Sequence, residues 1–262
     1  MEGYITRYPR DISISGASIK RDASLFNSGW SRGMGRYGVE ITSRPIKTMG
    51  IITRIFGEMQ NAGWSQDERA GTHVHVEIND YLDSDKIKLL RFCKGIERII
   101  FMFVKDYRKG NRYCNLLPDG WRSVFKDRDS AYNLRYATRS KYFWCNVYGS
   151  RHRTAEFRIF HCVESGEQAV KFARLAHAIV ELCKNATPEQ LEFIILSLYE
   201  SKDVGSCVKN FYNVLGLNSA DTLPVVGESA REYLEKKLQK NQARRTQEAQ
   251  EEMRKLEVAV GA

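Results

Sequence analysis

The sequence predicts an α+β fold in which a sheet packs one apolar face on helices and keeps ionisable side chains on the other. Three stretches predict it, because apolar and ionisable residues alternate in each with the period of two that belongs to strands. In Gly71-Thr-His-Val-His-Val-Glu-Ile-Asn79, Val74, Val76 and Ile78 share one face, and His73, His75 and Glu77 share the other. In Tyr37-Gly-Val-Glu-Ile-Thr42, Val39 and Ile41 oppose Glu40 and Thr42. Residues 151–160 repeat the design, with Ala155, Phe157 and Ile159 against Glu156 and Arg158. A lone His-x-His strand reads equally well as a half-exposed strand, but three strands of one design argue for one sheet with a site face.

The other elements follow in order. Residues 1–36 are rich in Gly, Ser and Arg and read as an irregular arm with room for one short strand. Gly33-Met-Gly35 lacks both the Lys-Ser/Thr of a P-loop and the third glycine of a dinucleotide fingerprint. Pro45 opens a helix with Met49, Ile52, Ile55, Phe56 and Met59 at helical spacing, ended by Asn61-Ala-Gly63. A loop then carries Asp67 and Glu68 to the histidine strand. A long helix is expected over 86–107, where Ile87, Leu90, Cys93, Ile96, Ile100 and Phe103 keep the period. Residues 108–118 read as loop, the Asp-, Arg- and Tyr-rich stretch up to Arg139 as surface or site lining, and 141–148 as an aromatic strand with Asn146 as its polar member. A helix over 167–184 is followed by Thr187-Pro-Glu-Gln190, a capping box with proline in the first turn. From Ser201 to Pro224 the chain reads as loop. Residues 229–258 form a charged helix with a short apolar stripe at Tyr233, Leu234 and Leu238, too narrow to contribute core. The expected organisation is an irregular arm (1–36), a main domain that carries the site strands (37–200), and a loop with a charged helical appendage (201–262), of which the part beyond about Gly227 is expected to be dispensable.

Composition narrows the function classes. A chain of 262 residues can bury a full-sized core. It holds no apolar run of membrane-spanning length and no secretory leader, so a cytoplasmic location without membrane contact is expected. The six cysteines form no Cys-x-x-Cys pair, which argues for reduced, buried thiols over structural zinc. The formal net charge of +9 suits a basic cleft for a polyphosphate or acidic substrate as well as it suits nucleic acid. Nucleic acid stays open but is not favoured.

Two carboxylates and a histidine are a hard oxygen and nitrogen set suited to magnesium or manganese bridging phosphate oxygens, and arginine suits phosphate contact and neutralisation of transition-state charge. In this order, the Gly-Val-Glu-Ile strand, the Gly-Thr-His-Val-His-Val strand, the Asn-Arg-Tyr-Cys loop and the Thr-Ala-Glu-Phe-Arg-Ile-Phe strand resemble the amidoligase family. These are glutamine-synthetase-like carboxylate–amine ligases, many encoded in phage or mobile-element gene sets. The resemblance covers residues 37–184. It implies a curved antiparallel sheet with helices on its outer face, as in the glutamine synthetase catalytic domain. It also implies binding of ATP with two divalent cations, and phosphorylation of a carboxylate followed by attack of an amine on the acyl-phosphate. Carried over by position, Glu40, His73 and Glu156 match the ligands of the metal at the nucleotide phosphates. Arg158 matches the arginine that neutralises the transferring phosphoryl group, so Arg158 and Glu156 are the catalytic candidates. Arg158, Arg112 of the Asn-Arg-Tyr-Cys loop, and His75 at the edge of the site are the nucleotide-binding candidates. Thr42 departs from the family's second glutamate on the first strand, which puts the second metal in doubt unless Asp67, Glu68 or Glu77 compensates.

Two rivals stay open. A metal-dependent phosphohydrolase or nuclease could use the same Glu/His/Glu set with water as nucleophile, and a non-catalytic virion-associated protein could be built on a decayed ligase scaffold. The expected partners of a ligase are a carboxylate and an amine, free or within a peptide or protein. A second copy or another protein could bind the C-terminal helix.

Overall fold

The computed structural model describes residues 1–6, 12–22, 25, 37–119, 140–147 and 153–260. The expectations for Gly33-Met-Gly35 and for most of the Arg- and Tyr-rich stretch fall outside these residues. The described chain is mixed α and β. Its strands are β1 (Glu2–Ile5), β2 (Ala17–Arg21), β3 (Tyr37–Ser43), β4 (Val74–Glu77), β5 (Cys145–Asn146) and β6 (Thr154–Phe157). Its helices are α1 (Gly50–Asn61), α2 (Asp83–Ile100), α3 (Gly166–Asn185), α4 (Pro188–Tyr199), α5 (Val204–Val214) and α6 (Glu228–Val260).

The expected single sheet is a finding to correct. The strands form two small antiparallel sheets, ordered β1-β3-β2 and β4-β6-β5, so Glu40 lies in one sheet and His75 and Glu156 lie in the other. The two are nonetheless stitched together. Glu2 N donates to Gly71 O at 3.0 Å, and Tyr4 and Ser65 exchange two backbone hydrogen bonds of 2.8 Å. Gly71 in turn bridges antiparallel to His161, and Thr72 N donates to Phe160 O at 3.1 Å. The chain entering β4 is therefore held by β1 on one side and by the continuation of β6 on the other.

The alternation sorts as its period requires. Val39, Ile41, Val76, Ala155 and Phe157 are buried, while Glu40 is half-buried and His75 and Glu77 are exposed. β4 packs on α3 and β5 on α2, and the apolar residues of α1 at Ile52, Ile55, Phe56 and Met59 join the same core. α1 begins at Gly50, after Pro45, and ends before Gly63, whose φ of 74° suits a residue without a Cβ. α2 begins three residues earlier than its periodicity suggests and stops at Ile100, where two short 3-10 turns, Phe101–Phe103 and Asp106–Arg108, take over. The Thr187 and Gln190 capping box forms as expected. All six cysteines are free and buried, and no described helix is long and apolar enough to cross a membrane.

Three other expectations need correction. The N-terminal arm contributes two strands that flank β3. The stretch 201–224 holds α5, capped by Asp203, whose carboxylate accepts from Ser206 N at 2.7 Å. The charged tail is docked to the body over its first half, where Ala230, Leu234 and Leu238 are buried, spaced four residues apart. Tyr233, expected on that stripe, instead lies exposed beneath the Arg98 guanidinium, 4.6 Å from its ring centroid.

Candidate functional site

Register places the polar residues before any side-chain contact is considered. His75 pairs directly with Glu156 across β4 and β6, and Asn146 pairs with Glu156 from the opposite edge. Directly paired residues point to one face, so Glu156 sits at the centre of that face on the middle strand. His73 and Arg158 extend the same face, each two residues along.

The side chains meet there. Glu156 Oε1 lies 2.5 Å from Arg158 Nη1 and 3.6 Å from both His73 Nδ1 and His75 Nε2. Arg158 Nε donates to the Tyr113 carbonyl at 3.1 Å. His75 Nδ1 shares a 3.0 Å hydrogen bond with Thr154 Oγ1. On the far side of His73, its Nε2 lies 3.6 Å from Glu2 Oε1, and the other oxygen of Glu2 accepts from Gly71 N at 3.1 Å. Burial, with Arg158 and Arg108 adding to it, holds the His73 imidazole well below its ordinary pKa, so the ring is neutral at pH 7. Burial and the nearby Asp22 push the Glu2 carboxyl upward.

Of the expected residues, His73, His75, Glu156 and Arg158 are brought together. Glu40 is not in contact with them. It is the register partner of Glu2 in the other sheet, one strand removed from His73. Arg112 stands at the rim, with its guanidinium carbon 4.6 Å from the centroid of the Tyr113 ring. Thr42 is exposed opposite Ser18. None of the compensating carboxylates reaches the site: Asp67 pairs with Arg69 at 2.6 Å, Glu77 accepts a hydrogen bond from Asn79, and Glu68 is exposed.

Two residues belong to the site without a signal in the sequence. Glu2 is supplied by the arm, and its approach to His73 depends on the link between β1 and Gly71. Arg108 is fully buried, and its Nη2 and Nε donate to the carbonyls of Arg158 and Ile159 at 2.5 and 3.4 Å. It holds the strand that carries Arg158 from behind. Gly71 is the residue that makes room for it, since a Cβ there would lie 2.8 Å from both terminal nitrogens of Arg108. Gly71→Ala should therefore lower stability by roughly 1–3 kcal/mol, the usual cost of overpacking a filled interior. An unchanged chemical-denaturation midpoint and slope would show that Arg108 can yield without cost.

Among the described residues, no group of three or more His, Cys, Asp or Glu side chains is arranged to hold a metal ion. A nucleotide-borne magnesium needs less, because it keeps several waters and is bound through one or two protein carboxylates plus phosphate. Glu156 and Glu2, on either side of the neutral His73, meet that lower requirement in donor chemistry. No family model, curated protein or solved structure matches this chain.

Proposed function

We propose that the chain is an ATP-dependent carboxylate–amine ligase with a glutamine-synthetase-like catalytic sheet, joining its substrates through an acyl-phosphate. The observation that carries this reading is Glu156 and Arg158 side by side on the middle strand of a polar face, flanked by His73 and His75. A buried carboxylate–arginine pair gains little stability over apolar packing unless its remaining hydrogen bonds are met. Here Arg158 Nη2 finds no acceptor among the described residues. That leaves a partly buried guanidinium edge available to an incoming phosphoryl oxygen, which it would contact directly. Glu156 fixes the orientation of that guanidinium. The neutral His73 and the carboxylates beside it would hold the divalent cation that accompanies the nucleotide. When bound, this cation supplies charge neutralisation at the phosphates. Glu40 would join the cation only if the link between the sheets shortened.

The test is nucleotide consumption with pooled acids and amines in the presence of magnesium or manganese, read as ADP formation together with amide product. Calorimetry with ATP and magnesium should show binding that Glu156→Ala loses. Phosphodiester cleavage without ADP would transfer the site to a nuclease reading, and equal ATP affinity in Glu156→Ala would remove Glu156 from it.

A further inference from the structure

We propose that Arg112 and Lys141, carried on the Tyr113 and Tyr142 rings beside Arg158, form an oxyanion subsite for a ligand bearing a carboxylate or phosphoryl group. The inference rests on charge and geometry and goes beyond the ligase reading, since it holds whatever reaction takes place at Glu156. Two chain segments build the subsite. Asn115 N donates to Tyr142 O at 2.7 Å and Trp144 N to Asn115 O at 2.9 Å, which fixes the two segments side by side. Each tyrosine is further set by a side-chain turn, Tyr113 N donating to Asn111 Oδ1 at 2.9 Å and Tyr142 N to Ser140 Oγ at 3.2 Å. The rings meet edge to face with centroids 5.5 Å apart.

Three cations gather on this pair. Arg112 lies over Tyr113, while Lys141 Nζ and the Arg158 guanidinium carbon address the same Tyr142 ring at 5.1 and 5.8 Å from its centroid. Among the described residues, Glu156 is the one carboxylate paired with any of the three, and it pairs with Arg158. Arg112 and Lys141 are exposed, so solvent and small ions reach them. Ring faces hold the cations in place without neutralising them. Like charges gathered around one aromatic pair, with a single carboxylate paired to them among the described residues, leave a local positive field that an anion relieves. A phosphate oxygen or a second carboxylate on the acid substrate supplies that chemistry.

The test is calorimetric titration of the full chain with inorganic phosphate, with succinate and with acetate, at constant ionic strength set by chloride and without nucleotide. We expect phosphate or succinate to bind more tightly than acetate. A preference for phosphate assigns the subsite to a phosphoryl group, and a preference for succinate assigns it to a second carboxylate. Lys141→Gln and Arg112→Gln should each weaken the preferred probe by roughly threefold, and the double variant by about tenfold, as expected for removing exposed charges at close range. Lys105→Gln, which removes an exposed cation paired with Glu164, should leave binding unchanged. Equal affinity in the double variant, or no binding of phosphate or succinate by the full chain, overturns the proposal. Because no nucleotide is present, neither result depends on ATP turnover.

Discussion

Removing residues 228–262 should unfold the chain or lower its melting temperature by more than about 15 °C, whereas ending the chain after Arg245 should move it by no more than about 2 °C. The difference comes from where α6 touches the body. Leu234 and Leu238 are essentially fully buried, and burying two leucines is worth roughly 3–6 kcal/mol. Set against a total stability of roughly 5–15 kcal/mol for a folded domain, that is a large share. Specific contacts add to it. Ser229 Oγ donates to Asp106 at 2.8 Å, just beyond Val226 and Gly227, which the truncation keeps and whose N–H groups donate to Met102 O at 2.9 Å and aim the helix. Further along, Lys237 lies 3.9 Å from the Tyr199 ring centroid, Asn241 donates to Tyr199 O at 2.9 Å, and Arg245 pairs with Glu200 at 2.5 Å. Among the described side chains from residue 246 on, contacts stay within the helix: Thr246 Oγ1 to Gln242 O, Arg244 with Glu248 and Lys255 with Glu251. Exposed i,i+4 pairs of this kind contribute only a few tenths of a kcal/mol each. Circular dichroism melts of the two truncations decide it. A chain ending at Gly227 that melts with the full-length protein would return the whole tail to the status of an appendage.

The tail illustrates which parts of this fold were legible. Its stripe of Leu234 and Leu238 was visible, but the width of a stripe does not say how deeply it docks. Ala230 completes the stripe and carries no hydrophobic signal of its own. The alternating strands were legible because each keeps a period of two long enough to separate core from site. β1 and β2 were not: Glu-Gly-Tyr-Ile sets two apolar residues side by side, and in Ala-Ser-Ile-Lys-Arg only Ile19 is a strong apolar marker. α5 escaped because Gly205, Ser206 and Asn210 dilute the spacing of Val204, Cys207 and Phe211. The candidate site divides in the same way. His73, His75, Glu156 and Arg158 were readable as one face because they lie on, or one residue beyond, two mutually paired strands. Glu40 shares their local pattern but stands in the other sheet, and Glu2 and Arg108 reach the site through contacts between chain segments 69 and 50 residues apart. Pattern reports which face a residue takes; it does not report which sheet that face belongs to.

On the ligase reading proposed above, Arg158→Lys should lower ATP turnover by at least roughly a hundredfold while changing the ATP dissociation constant little, the expected signature of a group that stabilises charge in the transition state. Arginine and lysine carry the same charge, so any large difference must come from the planar fork. The wild-type guanidinium uses two arms of that fork: Nη1 meets Glu156 at 2.5 Å, Nε meets the Tyr113 carbonyl at 3.1 Å, and the plane lies beside Tyr142. Two of its edges are thus spent on orientation, and the third, Nη2, has no acceptor among the described residues. A lysine ammonium can satisfy Glu156 or the carbonyl but cannot hold both and still present a directed donor to a phosphoryl oxygen. On the proposed reading, ground-state binding of nucleotide would be spread over more groups and should survive. A role confined to the Glu156 ion pair makes the opposite forecast, with a lower melting temperature and intact turnover. Measuring the dissociation constant, turnover and thermal stability on the same variant separates the two, and intact turnover beside a lowered melting temperature would withdraw Arg158 from the chemistry.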